Sequence, residues 1–81
     1  MKVLWDESKR LTNLAKHGLD FADLDADFFA AAMVSPAKRS RFFAVGEHQA
    51  GIIVTVVFEP LGAEAVSVIS MRPASRKERR M

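Results

Sequence analysis

The alternation of apolar and polar positions divides this 81-residue chain into a helical first third and a strand-rich remainder. Residues 2–5 are predicted to form a short strand. A helix follows, with Asp6 as its N-cap and Gly18 at the left-handed position that ends it. Its buried stripe is predicted to contain Leu11, Leu14 and Ala15. Its opposite, polar side is predicted to carry Lys9, Asn13, Lys16 and His17.

A second helix is predicted to begin at once, with Asp20 as its N-cap and Asp23 at N3, where a carboxylate stabilises free N–H groups. Leu19 and Leu24 have the spacing of a hydrophobic staple at this N-terminus. The helix is predicted to end near Ala30. Its buried stripe is predicted to be Phe21, Leu24, Phe28 and either Ala31 or Ala32, with Asp23 and Asp27 facing outward.

Three strands are predicted after the helices, over residues 41–47, 52–58 and 66–71. The middle one is an unbroken apolar run rich in β-branched residues, which predicts a central strand covered on both faces. A short additional strand at residues 33–34 would end at Pro36. Residues 48–51 are predicted to form a hairpin loop and residues 59–62 a tight turn.

The last segment, residues 74–80, is predicted to form a short C-terminal helix with Ser75 as its cap. The whole order predicts an α+β fold, in which two N-terminal helices pack on one face of a small antiparallel sheet of four to five strands. The opposite face, or part of it, would stay open for a partner or a substrate. Residues 1–81 are predicted to form a single domain, because a chain of this length supports only one core.

Composition narrows the class of protein. Apolar residues make up 49% of the sequence, which favours a folded domain over a disordered chain. Cysteine is absent, which excludes disulfides and thiolate metal sites. The longest apolar run, residues 51–58, is too short to span a bilayer, and the N-terminus lacks the pattern of a signal peptide. A cytoplasmic protein without a membrane partner is therefore expected.

The formal net charge of +2 conceals an uneven distribution. Residues 19–36 contain four acidic and no basic residues, whereas residues 72–81 contain five basic residues and a single acid. A second basic cluster consists of Lys38, Arg39 and Arg41. Two basic clusters on so small a domain indicate a polyanionic partner such as RNA. Solvated surface charge is the alternative interpretation.

Three side chains near the chain ends are candidates for chemistry. His17 lies in the last helical turn, where it would act as a general acid or base, or only interact with the helix dipole. Arg72 ends a strand before a proline, so rigid structure positions a guanidinium suited to phosphate; an ion pair with Glu78 or with an acid of the second helix is the alternative. Glu78 is either a general base among cations or the partner in such an ion pair.

Other positions are interpreted as structural. Trp5 and Phe21 are predicted to be core residues, and His48 is predicted to lie at the surface of a hairpin loop. Phe42 and Phe43 must point to opposite faces of one strand, so one of them is a candidate for an exposed, partner-binding aromatic. No metal or cofactor site is predicted, since two distant histidines without an acidic or thiolate cluster lack metal-ligand spacing.

Three stretches of the chain resemble the signature segments of one protein family. The first is Trp5-Asp6-Glu7-x-Lys9-x-x-x-Asn13-x-x-Lys16-His17-Gly18-x-x-Phe21. The second and third are Arg41-x-x-x-Val45-Gly46 and Ile69-Ser70-x-Arg72-x-Ala74-Ser75-x-x-Glu78-Arg79. In this order and at this spacing they resemble the BrnT family of bacterial toxins over nearly the whole chain.

The resemblance implies a fold related to the RelE-like ribonucleases and the toxin half of a type II toxin–antitoxin pair. Such a toxin cleaves RNA without a metal or other cofactor and arrests growth. Its antitoxin is typically a ribbon–helix–helix DNA-binding protein, so contact with DNA would be indirect. Two toxins and two antitoxins would form a heterotetramer.

By matching positions, the resemblance also implies roles for individual side chains. It implies that Arg41 and Arg72 stabilise the phosphate in the transition state, while His17 or Glu78 transfers protons. It implies backbone binding by Lys16 and Arg79, and the basic clusters add Lys38, Arg39 and Arg76 to the substrate-binding set. A non-catalytic relative of the toxins, which binds RNA or a protein through the same basic surface, is the second hypothesis. Binding to phosphates alone should weaken steeply as salt rises.

Overall fold

The fold is built on a five-stranded sheet, seen in a computed structural model that describes residues 1–80. The strands are β1 (Lys2–Trp5), β2 (Met33–Pro36), β3 (Phe42–Glu47), β4 (Ile53–Leu61) and β5 (Ala65–Pro73). They lie side by side in the order β1-β5-β4-β3-β2. The α+β class is confirmed, but the prediction of a wholly antiparallel sheet is wrong. β1 runs parallel to β5, because α1 and the later strands separate the two in the chain, and the sheet is mixed.

The first helix, α1 (Glu7–His17), has the predicted bounds. The Asp6 carboxylate accepts hydrogen bonds from the backbone N–H groups of Ser8 and Lys9, and Gly18 ends the helix with φ of 70°. Of the predicted apolar stripe, however, only Leu14 is partly buried, and Leu11 and Ala15 are exposed. Leu11 is 53% exposed, and Asn13, predicted to lie on the polar side, is the buried residue of the helix. The reason is that α1 packs against the free edge of β5, where it meets backbone polar groups rather than an apolar surface.

The single second helix predicted after Asp20 is replaced by two shorter elements. A 3₁₀ turn spans Phe21–Asp23, and α2 spans only Ala26–Ala31. Asp20 accepts from the N–H of Ala22, while Asp25 accepts from the N–H of Phe28 and acts as a second N-cap. Leu24 between them is extended, with ψ of 143°. Two capping aspartates five positions apart thus start two helical turns instead of one helix.

The core lies between the helices and one face of the sheet. It consists of Phe21, Leu24, Phe28, Ala44, Val54, Val56, Phe58, Val66, Val68 and Met71. The predicted stripe of three large residues, Phe21, Leu24 and Phe28, is therefore confirmed although the helix that carried it is not. Trp5 packs against this core as predicted. Burial of large apolar side chains on a single sheet face provides the main stabilisation of a domain this small.

Several boundaries differ from the predictions. Residues 59–61 of the predicted turn belong to β4, and the chain reverses at residues 62–64, where Gly62 has φ of 64°. The predicted extra strand exists as β2 and pairs with β3. The predicted C-terminal helix is reduced to a 3₁₀ turn over Glu78–Arg80, with Ser75 accepting from the N–H of Glu78. No helix within residues 1–80 is both long and apolar enough to cross a membrane.

Candidate active site

The sheet face opposite the helices carries Arg72, one of the candidate side chains. Cross-strand pairing aligns Phe43, Val57 and Ser70 in one row over β3, β4 and β5. The next row contains Thr55 paired with Arg72. These side chains alternate with core residues, so they point away from the helices. We call this surface the outer face. The C-terminal segment lies over one end of it, because Glu78 bonds to Thr55 and to Arg72.

Arg72 and Glu78 form a bidentate ion pair on the outer face. Nη1 of Arg72 donates to Oε1 of Glu78 at 2.7 Å, and Nη2 donates to Oε2 at 2.8 Å. Oε1 also accepts from the Thr55 hydroxyl and from the backbone N–H of Ser75, both at 2.8 Å. Thr55 is fully buried, so its hydroxyl is a fixed donor. The ion-pair interpretation of these residues from the sequence is therefore the arrangement observed.

The ion pair determines the protonation of Glu78. Hydrogen bonding from the Arg72 guanidinium lowers the pKa of this carboxyl to about 2, against the opposing effect of partial burial, and the Ser75 N–H and the Thr55 hydroxyl lower it further. The same pair raises the pKa of Arg72. At neutral pH the carboxylate is ionised and a weak proton acceptor while Arg72 remains on it.

Asn13 fixes α1 to the sheet next to this pair. β1 pairs with β5 only as far as Val68, which leaves the following edge of β5 without a neighbouring strand. The Asn13 side chain occupies that edge: its Nδ2 donates to the carbonyl of Met71 at 2.8 Å, and its Oδ1 accepts from the N–H of Met71 at 3.1 Å. A buried amide side chain thus takes the place that a longer β1 would occupy beside β5.

A groove forms between α1 and the free edge of β5. It has a volume of about 330 Å³ and is lined by Ser8, Lys9, Thr12, Asn13, Lys16, His17, Ile69 and Ser70. We call it the helix groove. Lys16 and His17 lie in the last turn of α1, where cations offset the negative end of the helix dipole. Ser70 connects this groove to the outer face, because it belongs to the row of Phe43 and Val57.

A second pocket lies at the other side of the outer face. It has a volume of about 490 Å³ and is lined by Pro36, Ala37, Lys38, Arg41, Phe43 and Val57. We call it the turn pocket. The β2–β3 turn beside it is strained, since Arg39 and Ser40 have φ of 61° and 63°. Two consecutive positive φ values and a bond from the Arg41 N–H to the Lys38 carbonyl are typical of a type I′ turn.

The structure brings some predicted site residues together and separates others. Arg72 and Glu78 are in contact, and Lys16 and His17 line the helix groove together with Ser70 of β5. Lys38 and Arg41 share the turn pocket. Arg39, Arg76 and Arg79 are exposed and line neither cavity. His48 lies in the predicted loop after β3. Within residues 1–80, no three His, Cys, Asp or Glu side chains are placed to hold a metal ion.

Two polar clusters escaped sequence reasoning. Thr55 stands inside an apolar run, and nothing in its neighbours indicates a contact with Glu78, which lies 23 positions later. Arg10 was overlooked, although it binds both Glu7 and Asp20. The signal for Arg10 was available in part: an acid three positions before an arginine on a helix is a common ion-pair spacing.

Comparison with known proteins identifies the family of this chain. The family model described as "Ribonuclease toxin, BrnT, of type II toxin-antitoxin system" matches residues 5–78. The fold and the match define the class of protein as a toxin of a type II toxin–antitoxin system. The chain belongs to the BrnT family of ribonuclease toxins.

A solved structure supports the assignment. The crystal structure of the Brucella abortus ribonuclease toxin BrnT is 59% identical in sequence and superimposes with a TM-score of 0.87. The match covers 94% of this chain and 99% of that one. No curated protein matches the chain significantly. The resemblance noted in the sequence is thereby confirmed at the level of the family.

Proposed function

We propose that this protein is an endoribonuclease toxin that cleaves RNA without a metal ion and thereby arrests growth. The observation that carries the proposal is the Arg72–Glu78 pair on the outer face. A guanidinium that already holds two carboxylate oxygens has both Nη groups oriented as a phosphate would require. The family match supports RNA as the source of that phosphate.

The reaction we propose uses the ribose itself as the nucleophile. The 2′-oxygen attacks the adjacent phosphorus and loses its proton, and the bond from phosphorus to the 5′-oxygen breaks as that oxygen gains a proton. The products are a 2′,3′-cyclic phosphate and a 5′-hydroxyl. Negative charge accumulates on the nonbridging oxygens in the transition state. Arg72 is proposed to stabilise it, with Arg41 supplying a second positive charge from the turn pocket.

Glu78 and His17 are the proposed proton carriers. While Arg72 binds it, Glu78 has a pKa of about 2 and is a poor base. If a phosphate takes over the guanidinium, the carboxylate loses its principal stabilising contact, and its pKa rises toward the ordinary value of 4.5. Substrate binding would therefore create the base. His17, at the helix groove, would supply the proton to the leaving oxygen.

The remaining basic side chains would hold the RNA backbone. Lys16 lines the helix groove beside Ser70, so it is the proposed contact for a phosphate next to the one that reacts. Lys38 and Arg39 on the β2–β3 turn, with Arg76 and Arg79 on the C-terminal segment, are proposed to provide longer-range attraction. Such exposed cations increase the rate of encounter with a polyanion more than they fix its position.

A partner antitoxin follows from the family and belongs to the same proposal. We propose a ribbon–helix–helix, DNA-binding antitoxin that covers the outer face, in a heterotetramer of two toxins and two antitoxins. Contact with DNA would then be only through the antitoxin. Because the proposed substrate is cellular RNA, the cytoplasm is the proposed location.

The test is a cleavage assay with purified protein and a synthetic RNA in the presence of EDTA. Wild-type protein should release a fragment ending in a 2′,3′-cyclic phosphate. Arg72→Ala should not, and Arg72→Lys should cleave weakly because an ammonium lacks the bidentate fork. Lys2→Ala is the matched control, since it removes one exposed positive charge from β1 and should cleave normally.

Expression in a bacterial host extends the test. Growth arrest and RNA loss should follow induction of the wild type and of Lys2→Ala, but not of Arg72→Ala. If folded wild-type protein leaves RNA intact both in the host and in vitro, the catalytic proposal is wrong. Salt-sensitive binding of RNA in that case would favour the non-catalytic module.

A further inference from the structure

The turn pocket differs in character from the rest of the outer face. Its floor is apolar, formed by the ring of Phe43 together with Val57 and Pro36, and its rim carries Lys38 and Arg41. Phe42 and Phe43 are both half-buried, but Phe42 stacks on Phe58 and packs against the core, whereas Phe43 lines the turn pocket. A partly accessible aromatic ring beside two cations is therefore built into the strand that crosses the outer face.

We infer that the turn pocket is a nucleobase subsite, in which one base of the RNA stacks on Phe43 and Lys38 binds its backbone phosphate, while Arg41 keeps its proposed role at the adjacent, reacting phosphate. This inference rests on the proposed function and adds to it the position of a base. Stacking on an aromatic side chain next to a cationic track is the general way in which proteins bind single-stranded nucleic acid.

Charge favours an anionic nucleotide over an apolar peptide. Neither Lys38 nor Arg41 forms an ion pair within the part of the chain that the structure describes. No acidic side chain lines the pocket. Glu59 is the nearest acid in the strand register, opposite the position before Phe42, but it does not reach the cavity. A nucleotide matches both the cations and the apolar floor of the pocket, because its phosphate supplies negative charge and its base supplies a flat apolar surface.

Size and position also fit a nucleotide. The cavity volume of about 490 Å³ exceeds what a base needs and leaves room for its sugar. Phe43 and Arg72 lie two strands apart and one row apart on the same face. With strands about 4.8 Å apart and a rise of about 3.3 Å per residue, their Cα atoms are separated by roughly 12 Å. A base on Phe43 would thus belong to a nucleotide close to the reacting phosphate, within reach of the Arg72 side chain.

Binding of a short RNA with 2′-O-methyl riboses tests the inference, because the missing 2′-hydroxyl prevents cleavage. Fluorescence anisotropy would measure the dissociation constant at several salt concentrations. Phe43→Leu should weaken binding by about 5-fold to 100-fold, the usual loss for one stacked base. Phe43→Trp should restore it, and the new indole should be quenched on binding, beyond any change of Trp5 seen in the wild type. Leu4→Ala, an exposed apolar position on β1 and three strands away from Phe43, should bind as wild type.

The salt dependence separates the two parts of the subsite. A plot of the logarithm of the binding constant against the logarithm of the salt concentration has a slope that counts the counterions released. Arg41→Ala should reduce this slope by about one, whereas Phe43→Leu should leave it unchanged. Circular dichroism spectra would confirm that each variant is folded.

The possible failures are distinguishable. If the wild type binds the RNA but Phe43→Leu binds equally well and the tryptophan of Phe43→Trp is not quenched, the nucleobase subsite is wrong while the proposed function stands. If no variant including the wild type binds or cleaves RNA, the proposed function itself fails. Quenching of Phe43→Trp by an added antitoxin but not by RNA would assign the pocket to a protein partner and would also overturn the inference.

Discussion

Two arginines of this protein form bidentate ion pairs, but the charges around them differ and indicate different roles. Arg10 uses Nε and Nη2 on Glu7 and Nη1 on both oxygens of Asp20, so every nitrogen of its guanidinium is bonded to a carboxylate. Arg72 uses only its two Nη groups, both on Glu78. The Arg10 cluster has one cation for two acids. The Arg72 cluster is neutral and stands among further basic residues of the C-terminal segment.

This difference shows how one chemical pairing serves either structure or function. A third anion at Arg10 would meet two carboxylates and only one N–H, on Nη2, that is not already bonded to them. At Arg72 an incoming phosphate would compete with a single carboxylate in a positive field, and the displaced Glu78 would keep its bonds from Thr55 and Ser75. Charge balance around an arginine, more than its own geometry, therefore indicates whether it is available to a substrate.

The largest expected effect is a crossed result between the two arginines. Arg72→Ala should slow RNA cleavage by about 100-fold or more, as loss of one transition-state donor does, and should lower the melting temperature less than Arg10→Ala does. Arg10→Ala should lower the melting temperature and leave the cleavage rate nearly unchanged, since it leaves Glu7 and Asp20 to repel each other beside the start of α1. Cleavage rates and melting curves of both variants, measured together, check this. Equal losses of activity in both would refute the division of roles.

Asn13 lies between the two clusters, and its removal should affect stability most. Asn13→Ala leaves the buried N–H and carbonyl of Met71 without partners, so the free energy of unfolding should fall by about 2–4 kcal/mol. Urea denaturation would measure the loss. Thr12→Ala, at the exposed neighbouring position, serves as the control for stability and should lose under about 1 kcal/mol. If the midpoint of urea denaturation is unchanged in Asn13→Ala, water must bond to the free backbone groups at the edge of β5, which would contradict this prediction.

Thr55 offers a finer test of the Arg72 cluster. Thr55→Val keeps the shape of the side chain but removes the hydroxyl that positions Glu78, so kcat should fall by about tenfold while KM stays the same. Thr55→Ser restores the hydroxyl and should recover most of the rate. A shift of the pH–rate profile in Thr55→Val would mark a positioning role. A loss of stability alone, with a normal rate, would assign Thr55 to structure only.

The smallest expected effect on stability concerns the two acidic partners, Glu7 and Glu78. Hydrogen bonding lowers the pKa of both to about 2, from Arg10 first for Glu7 and from Arg72 first for Glu78. A depressed pKa contributes stability above the unfolded value of 4.5, and that contribution is lost as pH falls from there toward 2. Glu78→Gln and Glu7→Gln should each flatten the acid branch of the stability curve. Only Glu78→Gln should also reduce cleavage; a loss with Glu7→Gln would contradict the comparison.

Local signals in the chain determined the parts of the fold that depend on neighbouring residues. Asp6 and Gly18 set the ends of α1 because a cap and a left-handed residue act within one turn. The apolar runs identified β3, β4 and β5, and the family motifs identified Arg72 and Glu78 as candidates. The reciprocal Ser75–Glu78 bonds likewise span only three residues.

Tertiary structure decided what depends on distant partners. The sequence by itself determined where strands would form, but the position of β1 parallel to β5 required a contact between the two ends of the chain. Asn13 was assigned to the polar side of α1 because helical periodicity cannot reveal a bond to Met71, 58 positions away. The contact of Thr55 with Glu78 could not be predicted for the same reason. Burial of a polar side chain is favourable only when a partner from elsewhere in the chain satisfies it, and only the folded protein brings that partner into contact.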